Sequence, residues 1–344
     1  MESPMAKAQR EKWIDFVKFI AILIVMINHS RLDIPGVKFW GGMFFVPVFF
    51  VLSGFTYKSR EESFPAFLGR KAKRLLLPYI TANGILFVFF VIKDVVFGSV
   101  AWTEKIPDAI GILYARNQLF ADGAQTLFLT LTKENVYFYR MLNSPTWFLP
   151  ALFLTMALFE LLLRLFKNDI RKMVLSGVIL LCAANLYHYL CPVLLPWSLD
   201  ALAYFFMMFL WGYVMSRKKL TDAFDRRKWI LLIVLIVFVA AAMINGSANY
   251  SIGDYGKSTT LALFNAVSSS TLLMYLMRKL ERYIPRVFTV AGQYTLFLLC
   301  YHLFFFSLFE TIFAGIHPLL TIFATLVLLT AFAWGKEKVL YAKK

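Results

Sequence analysis

The sequence predicts an all-α, polytopic integral membrane protein with about ten transmembrane helices and both termini cytoplasmic. Of its 344 residues, 60% are hydrophobic and only 16% are charged. A soluble protein of this length has too little interior to bury that much apolar surface. The apolar residues fall into runs long enough to cross a bilayer. We therefore expect a single membrane domain over residues 1–344, with the helical bundle at 15–335.

Ten apolar runs account for the predicted spans. They cover residues 15–31, 40–57, 75–97, 145–166, 173–190, 196–216, 229–245, 258–277, 287–309 and 314–335. The formal net charge is +16, and the excess of lysine and arginine falls in the termini and in every second connecting segment. That is the positive-inside distribution, so it indicates an even number of spans rather than a nucleic-acid partner.

One connection is long, residues 98–144, and it falls on the predicted extracytoplasmic side. A loop of this length in a compact protein usually has a function or contains a partly embedded helix. Its end, Asn143-Ser144-Pro145-Thr146-Trp147, supplies a cap residue and a first-turn proline to the next span. We interpret Trp147 as an anchor at the membrane interface.

The first span carries ionisable side chains that a simple anchor would not need. Each charge at mid-membrane costs about 2.5–3.5 kcal/mol on insertion scales. Lys18 and His29 are eleven positions apart, about three helical turns, which places them on nearly the same face and roughly 16 Å apart along the axis. Asp15 stands one turn before Lys18 and can pair with it.

His29 has two interpretations. An imidazole titrates near neutral pH and suits proton abstraction, whereas an isolated histidine at a helix end is more often a hydrogen-bonded structural residue. Lys18 on the same face and Asn28 beside the ring favour the catalytic interpretation.

A basic cluster precedes the third span, at Arg70, Lys71, Lys73 and Arg74. Such a cluster is most often a cytoplasmic flank that fixes helix orientation. Four cations within about one turn also suit a polyphosphate ligand. The cluster alone does not choose between these two roles.

Ser53 and Gly54 lie in the second span, where small residues allow helices to approach closely. Isolated acids in or near spans are candidates for function by default; these are Glu160, Asp200 and Glu310. The three cysteines have no paired spacing, so we predict neither a disulfide framework nor a metal site. They are Cys182, Cys191 and Cys300.

Several of these runs resemble one known family. With His29, the run 49–55 is similar to the signature of the membrane-bound acyltransferase-3 family. Lys18 and His29 fit that family's Arg/Lys-x10-His pattern in the first helix. Residues 145–152 resemble its fourth-helix motif, and residues 292–302 resemble a late Gly-x2-Ser/Thr-Leu…His segment of the fucose 4-O-acetylase-like branch.

The basic cluster also fits the resemblance. Lys71 and Arg74, before a Leu-Leu-Leu-Pro-Tyr run, match the family's Arg/Lys-x2-Arg element, and Arg70 with Lys73 gives a second register. The resemblance implies an O-acyltransferase of the cell membrane that moves an acyl group, usually acetyl, from acyl-CoA to a hydroxyl of a cell-surface or lipid-linked glycan. Acetyl-CoA would be the co-substrate, without a metal, and the product a polysaccharide carrying an O-acetyl group.

The resemblance also assigns roles to residues. The phosphates of the donor would lie at residues 70–74, and its pantetheine arm would run past Lys18 toward His29, the general base. The acceptor would enter under the loop 98–144. Asn28, Ser30 or a donor on a late helix would stabilise the oxyanion, and an acyl-histidine intermediate stays open as a second route.

Four further residues belong to the predicted site or its supporting motifs. His302 fits either helix packing or the site, and the resemblance favours the site. Asp15, Ser53 and Trp147 are candidates for substrate contact or structural support.

Two residues depart from the family pattern. Phe19 stands where many members have glycine and would narrow a passage beside it, and Pro47 replaces an acidic partner for His29 found in another branch. A transporter or flippase of lipid-linked glycans is the main alternative, but it predicts ionisable residues spread over several spans. A non-catalytic scaffold is a third possibility and predicts that loss of His29 has no effect.

Overall fold

A computed structural model describes residues 11–120, 141–191 and 193–342, with side chains described as far as residue 335. Over these residues the chain is helical and contains no strand. The helices are α1 Lys12–His29, α2 Val37–Gly42, α3 Pro47–Phe55, α4 Phe64–Val91, α5 Ile106–Tyr114, α6 Phe148–Leu165, α7 Ile170–Leu190, α8 Leu202–Arg217, α9 Leu220–Arg226, α10 Lys228–Asn245, α11 Thr259–Lys279, α12 Arg286–Gln293, α13 Thr295–Ile312 and α14 Pro318–Ala342. Short 3₁₀ segments at Ser144–Trp147 and Pro196–Ala201 lead into α6 and α8.

Eight of the helices in the described part of the chain are long and apolar enough to cross a membrane. They are α4, α6, α7, α8, α10, α11, α13 and α14. Helix α1 is also 18 residues long, but it carries Lys12, Asp15 and Lys18. The bundle is therefore that of a membrane protein, and its outer helices expose leucine, isoleucine and valine as lipid-facing surfaces do.

Two of the predicted spans are broken rather than continuous. The predicted span 40–57 consists of α2 and α3, and α3 begins at Pro47, whose ring has no N–H to continue a helix from before it. The predicted span 287–309 consists of α12 and α13, which meet at Tyr294. Mean hydropathy registers apolar length and is insensitive to such breaks.

Helix α3 lies at the centre of the bundle, packed closely against α8. A Cβ added to Gly54 would lie 1.9 Å from the carbonyl oxygen of Phe209, and one added to Gly212 would lie 1.9 Å from that of Val51. The two helices therefore contact each other backbone to backbone. This fits the close packing predicted from the small residues at Ser53 and Gly54, and Gly212 is the partner that the sequence did not indicate.

Helix α1 is held by a similar contact with α12. A Cβ on Gly292 would lie 1.8 Å from the carbonyl oxygen of Asp15. Phe19 packs against Phe288 with ring centroids 5.0 Å apart. The side chain expected to narrow a passage is thus committed to this helix contact and lines neither of the two cavities described below.

The long connection 98–144 contains α5, and its residues 121–140 lie outside the described residues. Tyr79 on α4 donates a hydrogen bond to the carbonyl of Ile112, and Tyr114 donates one to the carbonyl of Leu194. These bonds fasten α5 over one end of the bundle, the end at which α1 finishes with His29.

Candidate active site

The structure brings together the two histidines that the sequence placed 273 positions apart. His29 is the last residue of α1, and His302 lies in the second turn of α13. Their ring centroids are 5.8 Å apart at an interplanar angle of 54°. His302 is fully buried, whereas His29 is exposed to a cavity. The arrangement pairs an accessible imidazole with an inaccessible one.

The surroundings of His302 define which of its nitrogens carries the proton. Its Nδ1 lies 2.9 Å from the carbonyl oxygen of Leu298 and 3.0 Å from that of Leu299. A carbonyl only accepts, so in the neutral ring Nδ1 is the protonated nitrogen and Nε2 has the free lone pair. Nε2 is buried and has no hydrogen-bond partner among the described residues. It can accept a proton or a hydrogen bond.

A chain of hydrogen bonds supports this part of α13. Asn143 donates to the carbonyl oxygen of Cys300 at 2.8 Å, and Thr146 donates to the carbonyl of Asn143 at 2.7 Å. Asn83 on α4 donates to Thr146 at 2.9 Å. All three side chains are buried. The segment that opens α6 is thereby joined to both α4 and the turn of α13 that precedes His302.

His29 lies in the wall of a cavity of about 290 Å³, here called the histidine cavity. Residues from six separate parts of the chain enclose it. Its lining comprises Val25, Asn28, His29, Lys38, Gly42, Phe45, Val46, Phe49, Asn117, Ser144, Pro145, Trp147, Phe148, Ser247, Ala248, Asn249, Tyr250, Ser251 and Leu299. The cavity is apolar beside α3 and lined by amides and hydroxyls from the loops opposite.

Trp147 lies in this wall and is 4% exposed, with its ring 5.8 Å from that of Phe205. A ring so deeply buried is not an anchor at the membrane interface, so that interpretation was wrong. The residue looked interfacial because it follows a long polar connection. The described part of that connection instead packs over this end of the bundle through α5.

A second cavity, of about 310 Å³, lies toward the start of α1 and is here called the basic cavity. Its lining comprises Lys18, Phe49, Leu52, Ser53, Thr56, Tyr57, Lys58, Arg60, Arg70, Lys71, Arg74, Leu75, Leu152 and Met156. Six of these side chains are cationic and none is acidic. The cavity therefore suits a ligand with several negative charges.

The predicted basic cluster divides between this cavity and the surface. Arg70, Lys71 and Arg74 line the cavity, whereas Lys73 is exposed and lies outside the lining. Arg60 joins the cluster from the preceding connection and was not singled out from the sequence. Lys71 is buried in the wall of this cavity, with its Nζ 5.4 Å from the centroid of the Phe67 ring.

Two acids organise the cationic side chains without lining the cavity. Arg70 holds Glu62 through Nε, at 3.2 Å, and through Nη2. That hydrogen bonding by Arg70 lowers the pKa of the Glu62 carboxyl, which stays charged. Buried Glu160 accepts from Arg164 at 2.6 Å and also from Tyr57, whose ring lines the cavity. The isolated acid of α6 is thus paired.

Lys18 lines the basic cavity and pairs with Asp15, which is buried, at 3.5 Å. The pairing predicted from their spacing is therefore present. Ser53 faces the same cavity, on the side of α3 next to the glycine that packs on α8. Glu310, the other acid near a span end, pairs with Arg31 at 3.2 Å.

Phe49 lines both cavities. It lies on α3, is 9% exposed, and packs against Phe148 with ring centroids 5.5 Å apart. Lys18 lies in the wall of one cavity and His29 in the wall of the other, about three turns apart along α1. Among the described residues, Phe49 is the one side chain that belongs to both linings.

Among the described residues, no group of three or more histidine, cysteine, aspartate or glutamate side chains is placed to hold a metal ion. The polar groups around His29 are amides, hydroxyls, the imidazole of His302 and the ammonium of Lys38. They can bind, orient and exchange protons with a substrate.

The fold and the two cavities define an integral membrane protein with a cavity lined by His29 at one end and a cavity lined by six cationic side chains at the other. The family model described as an acyltransferase domain, of the acyltransferase-3 type, matches residues 11–337. The chain belongs to this family and is an O-acyltransferase. No curated protein and no solved structure matches the chain.

Several residues at the site were not predicted. Asn83, Asn117 and Arg60 come from segments with no motif, and only their buried or cavity-lining positions reveal them. The signal available in the sequence for Asn83 was an amide within an otherwise apolar span, where polar side chains are costly unless they are hydrogen-bonded.

Proposed function

We propose that the chain transfers an acyl group, in the first instance acetyl, from acyl-CoA to a hydroxyl of a cell-surface or lipid-linked glycan. Coenzyme A binds in the basic cavity on the cytoplasmic side, and the acceptor hydroxyl enters the histidine cavity from the opposite side of the cell membrane. His29 is the general base. This extends the family's O-acyl transfer to a particular donor, acceptor class and base.

The observation that carries the proposal is the position of Phe49, in the walls of both cavities at once. A pantetheine arm anchored by its phosphates at Arg70, Lys71 and Arg74 would pass this side chain to bring its thioester to His29. A transporter requires a path for its whole cargo, whereas the proposed transfer requires only that a pantetheine arm pass beside Phe49.

The topology predicted from charge bias agrees with a cytoplasmic donor site and an acceptor site on the opposite side of the membrane. The basic cavity is lined by residues 58–74, from a connection that charge bias places in the cytoplasm. The loop residues lining the histidine cavity, at 38, 117, 144 and 247–251, all come from connections on the other side. The donor and acceptor would therefore approach from opposite faces of the membrane.

The transfer step uses the groups around His29. One imidazole nitrogen takes the proton of the acceptor hydroxyl as its oxygen attacks the thioester carbonyl. The C–S bond then breaks, the coenzyme A thiolate leaves and takes up a proton, and the ester remains on the glycan. Asn28, which also lines the cavity, would donate from its side-chain amide to the oxyanion.

His302 orients the base. Its Nε2 lone pair is free, so it can accept a hydrogen bond from His29 and hold that ring in one tautomer while the other nitrogen faces the substrate. His302 thereby takes the role of the acidic residue that another branch of the family has at the position of Pro47. The segment 292–302, which carries His302, also supports placement in the fucose 4-O-acetylase-like branch.

A direct test measures transfer of label from acetyl-CoA to envelope glycans in membranes that contain the chain. We expect transfer by the wild type and a loss of about 10²–10⁴-fold for His29→Ala at equal expression, the range of a general base. Mass spectrometry of surface glycans from cells with and without the chain would identify the acylated sugar. Full transfer by His29→Ala would show that another group is the base.

A further inference from the structure

The wall of the histidine cavity opposite α3 is built by loops, and we call it the acceptor wall. It comprises Asn117, Ser144 and the five consecutive residues 247–251. Asn117 and Ser144 come from the long connection 98–144, and residues 247–251 come from the connection between α10 and α11. Loops from separate connections form a defined surface only if something buried fixes them to one another.

Arg116, next to Asn117, is the buried group that fixes them. It is 0% exposed and donates to the hydroxyl of Ser198 at 2.8 Å, to the carboxylate of Asp200 at 2.8 Å and to the carbonyl of Tyr250 at 3.2 Å. One guanidinium therefore ties the connection after α5 to the start of α8 and to the loop after α10.

The partners of Arg116 are themselves held. Asp200 accepts a second hydrogen bond from the backbone N–H of Leu195 at 3.0 Å, and Tyr250 donates its phenol to the carbonyl of Ala262 at 3.0 Å. Ser198 is in the left-handed region with φ of 60°, an unfavourable conformation for a residue with a Cβ. A buried ion pair with a strained partner is costly, and such strain concentrates at functional sites.

The chemistry of the acceptor wall is neutral. Its side chains are amides, hydroxyls, a methyl group and the ring of Tyr250, with Trp147 beside them. Among the described residues, three ionisable side chains line this cavity: His29, Lys38 and the phenol of Tyr250. Lys38 pairs with Asp33 at 3.1 Å. Recognition of a carboxylate or phosphate normally uses arginine or an uncommitted lysine.

We infer that the acceptor wall binds an uncharged sugar, that Asn117 contacts it, and that Arg116 is the positioning residue that holds the wall in place. Amides and hydroxyls beside aromatic rings match the hydroxyls and apolar faces of a neutral sugar ring. Among the described lining residues, the one cation that an acidic sugar would meet besides a protonated histidine is Lys38, which already pairs with Asp33. This inference rests on the proposed function, because it takes the histidine cavity as the acceptor site.

The test uses envelope glycans separated by anion exchange into a neutral pool and an acidic pool, with labelled acetyl-CoA and membranes containing the full chain. We expect the wild type to label the neutral pool. Label in the acidic pool alone would overturn the inference while leaving acyl transfer intact. Label in neither pool would overturn the proposed function itself.

Variants test the assigned residues on the neutral pool. Asn117→Ala should raise the apparent KM for the glycan about 3- to 10-fold, the value of a lost hydrogen bond, with the KM for acetyl-CoA unchanged. Arg116→Lys should raise the glycan KM as well, because a lysine cannot reach three partners with one planar fork. Asn265→Ala, in α11 and outside both cavities, is the control for removal of a buried asparagine.

Arg116→Lys risks loss of folding, so Asn117→Ala, which leaves the ion pair intact, decides the outcome. An unchanged glycan KM for Asn117→Ala, or equal increases in both KM values, would contradict the assignment.

Discussion

His29 shows what a single sequence reveals at the scale of residues. The spacing from Lys18 predicted one face of one helix, and the structure places these two side chains in adjoining cavities. The ring that faces His29 could not be derived from spacing, because His302 comes from a helix 273 positions later. Only the family resemblance pointed to it, since proximity between distant helices depends on packing.

Loss of His302 should impair the chemical step rather than donor binding. We expect His302→Ala to lower kcat, by less than His29→Ala does, and to leave the KM for acetyl-CoA unchanged, because the residue touches the base and not the donor. It should also alter the pH–rate profile, which a role in packing alone would not move. An unchanged profile with a lower folded fraction would assign His302 to packing.

The basic cavity allows a matched comparison within one helix turn. Lys71→Ala with Arg74→Ala should raise the KM for acetyl-CoA about 10²- to 10⁴-fold, since two contacts to charged groups are lost and each contributes about 1.5–3 kcal/mol. Lys73→Ala removes the same charge type from α4 but outside the cavity, and should leave that KM nearly unchanged. Steady-state kinetics in membranes would measure both. Equal increases in the KM for acetyl-CoA would show that the cluster sets helix orientation and does not bind the donor.

At the scale of elements, composition predicted where helices lie better than where they break. The runs 40–57 and 287–309 are apolar throughout, so hydropathy favours continuous spans, yet each is two helices. The break before Pro47 has a physical signal in the sequence, since proline begins helices and interrupts them. The break at Tyr294 has none that we identify.

The contact between α3 and α8 fixes the wall shared by both cavities. Gly212→Ala places a Cβ 1.9 Å from the carbonyl oxygen of Val51, so the helices must separate. Overpacking of this kind costs about 1–3 kcal/mol, and we expect a lower thermal stability of the detergent-solubilised protein by size-exclusion analysis. Gly84→Ala, in α4 with open space at its Cβ, should show no loss. A stable Gly212→Ala protein would contradict the packing.

At the scale of the whole molecule, composition and charge bias predicted a helical membrane protein. The eight span-length helices of the described chain agree with that class. The sequence also predicted a cationic cluster at residues 70–74 and a catalytic histidine at the end of the first helix. It could not predict that both cavities meet at Phe49, because that meeting depends on how α1, α3, α4 and α6 pack.

The central claim is that donor and acceptor meet through one passage from opposite sides of the membrane. The most direct measurement uses sealed vesicles of known orientation, with labelled acetyl-CoA on the side of the basic cavity and envelope glycans on the other. The account predicts labelled glycan in this arrangement, little when both substrates are on either single side, and none with His29→Ala. Equal labelling with both substrates on one side would contradict it.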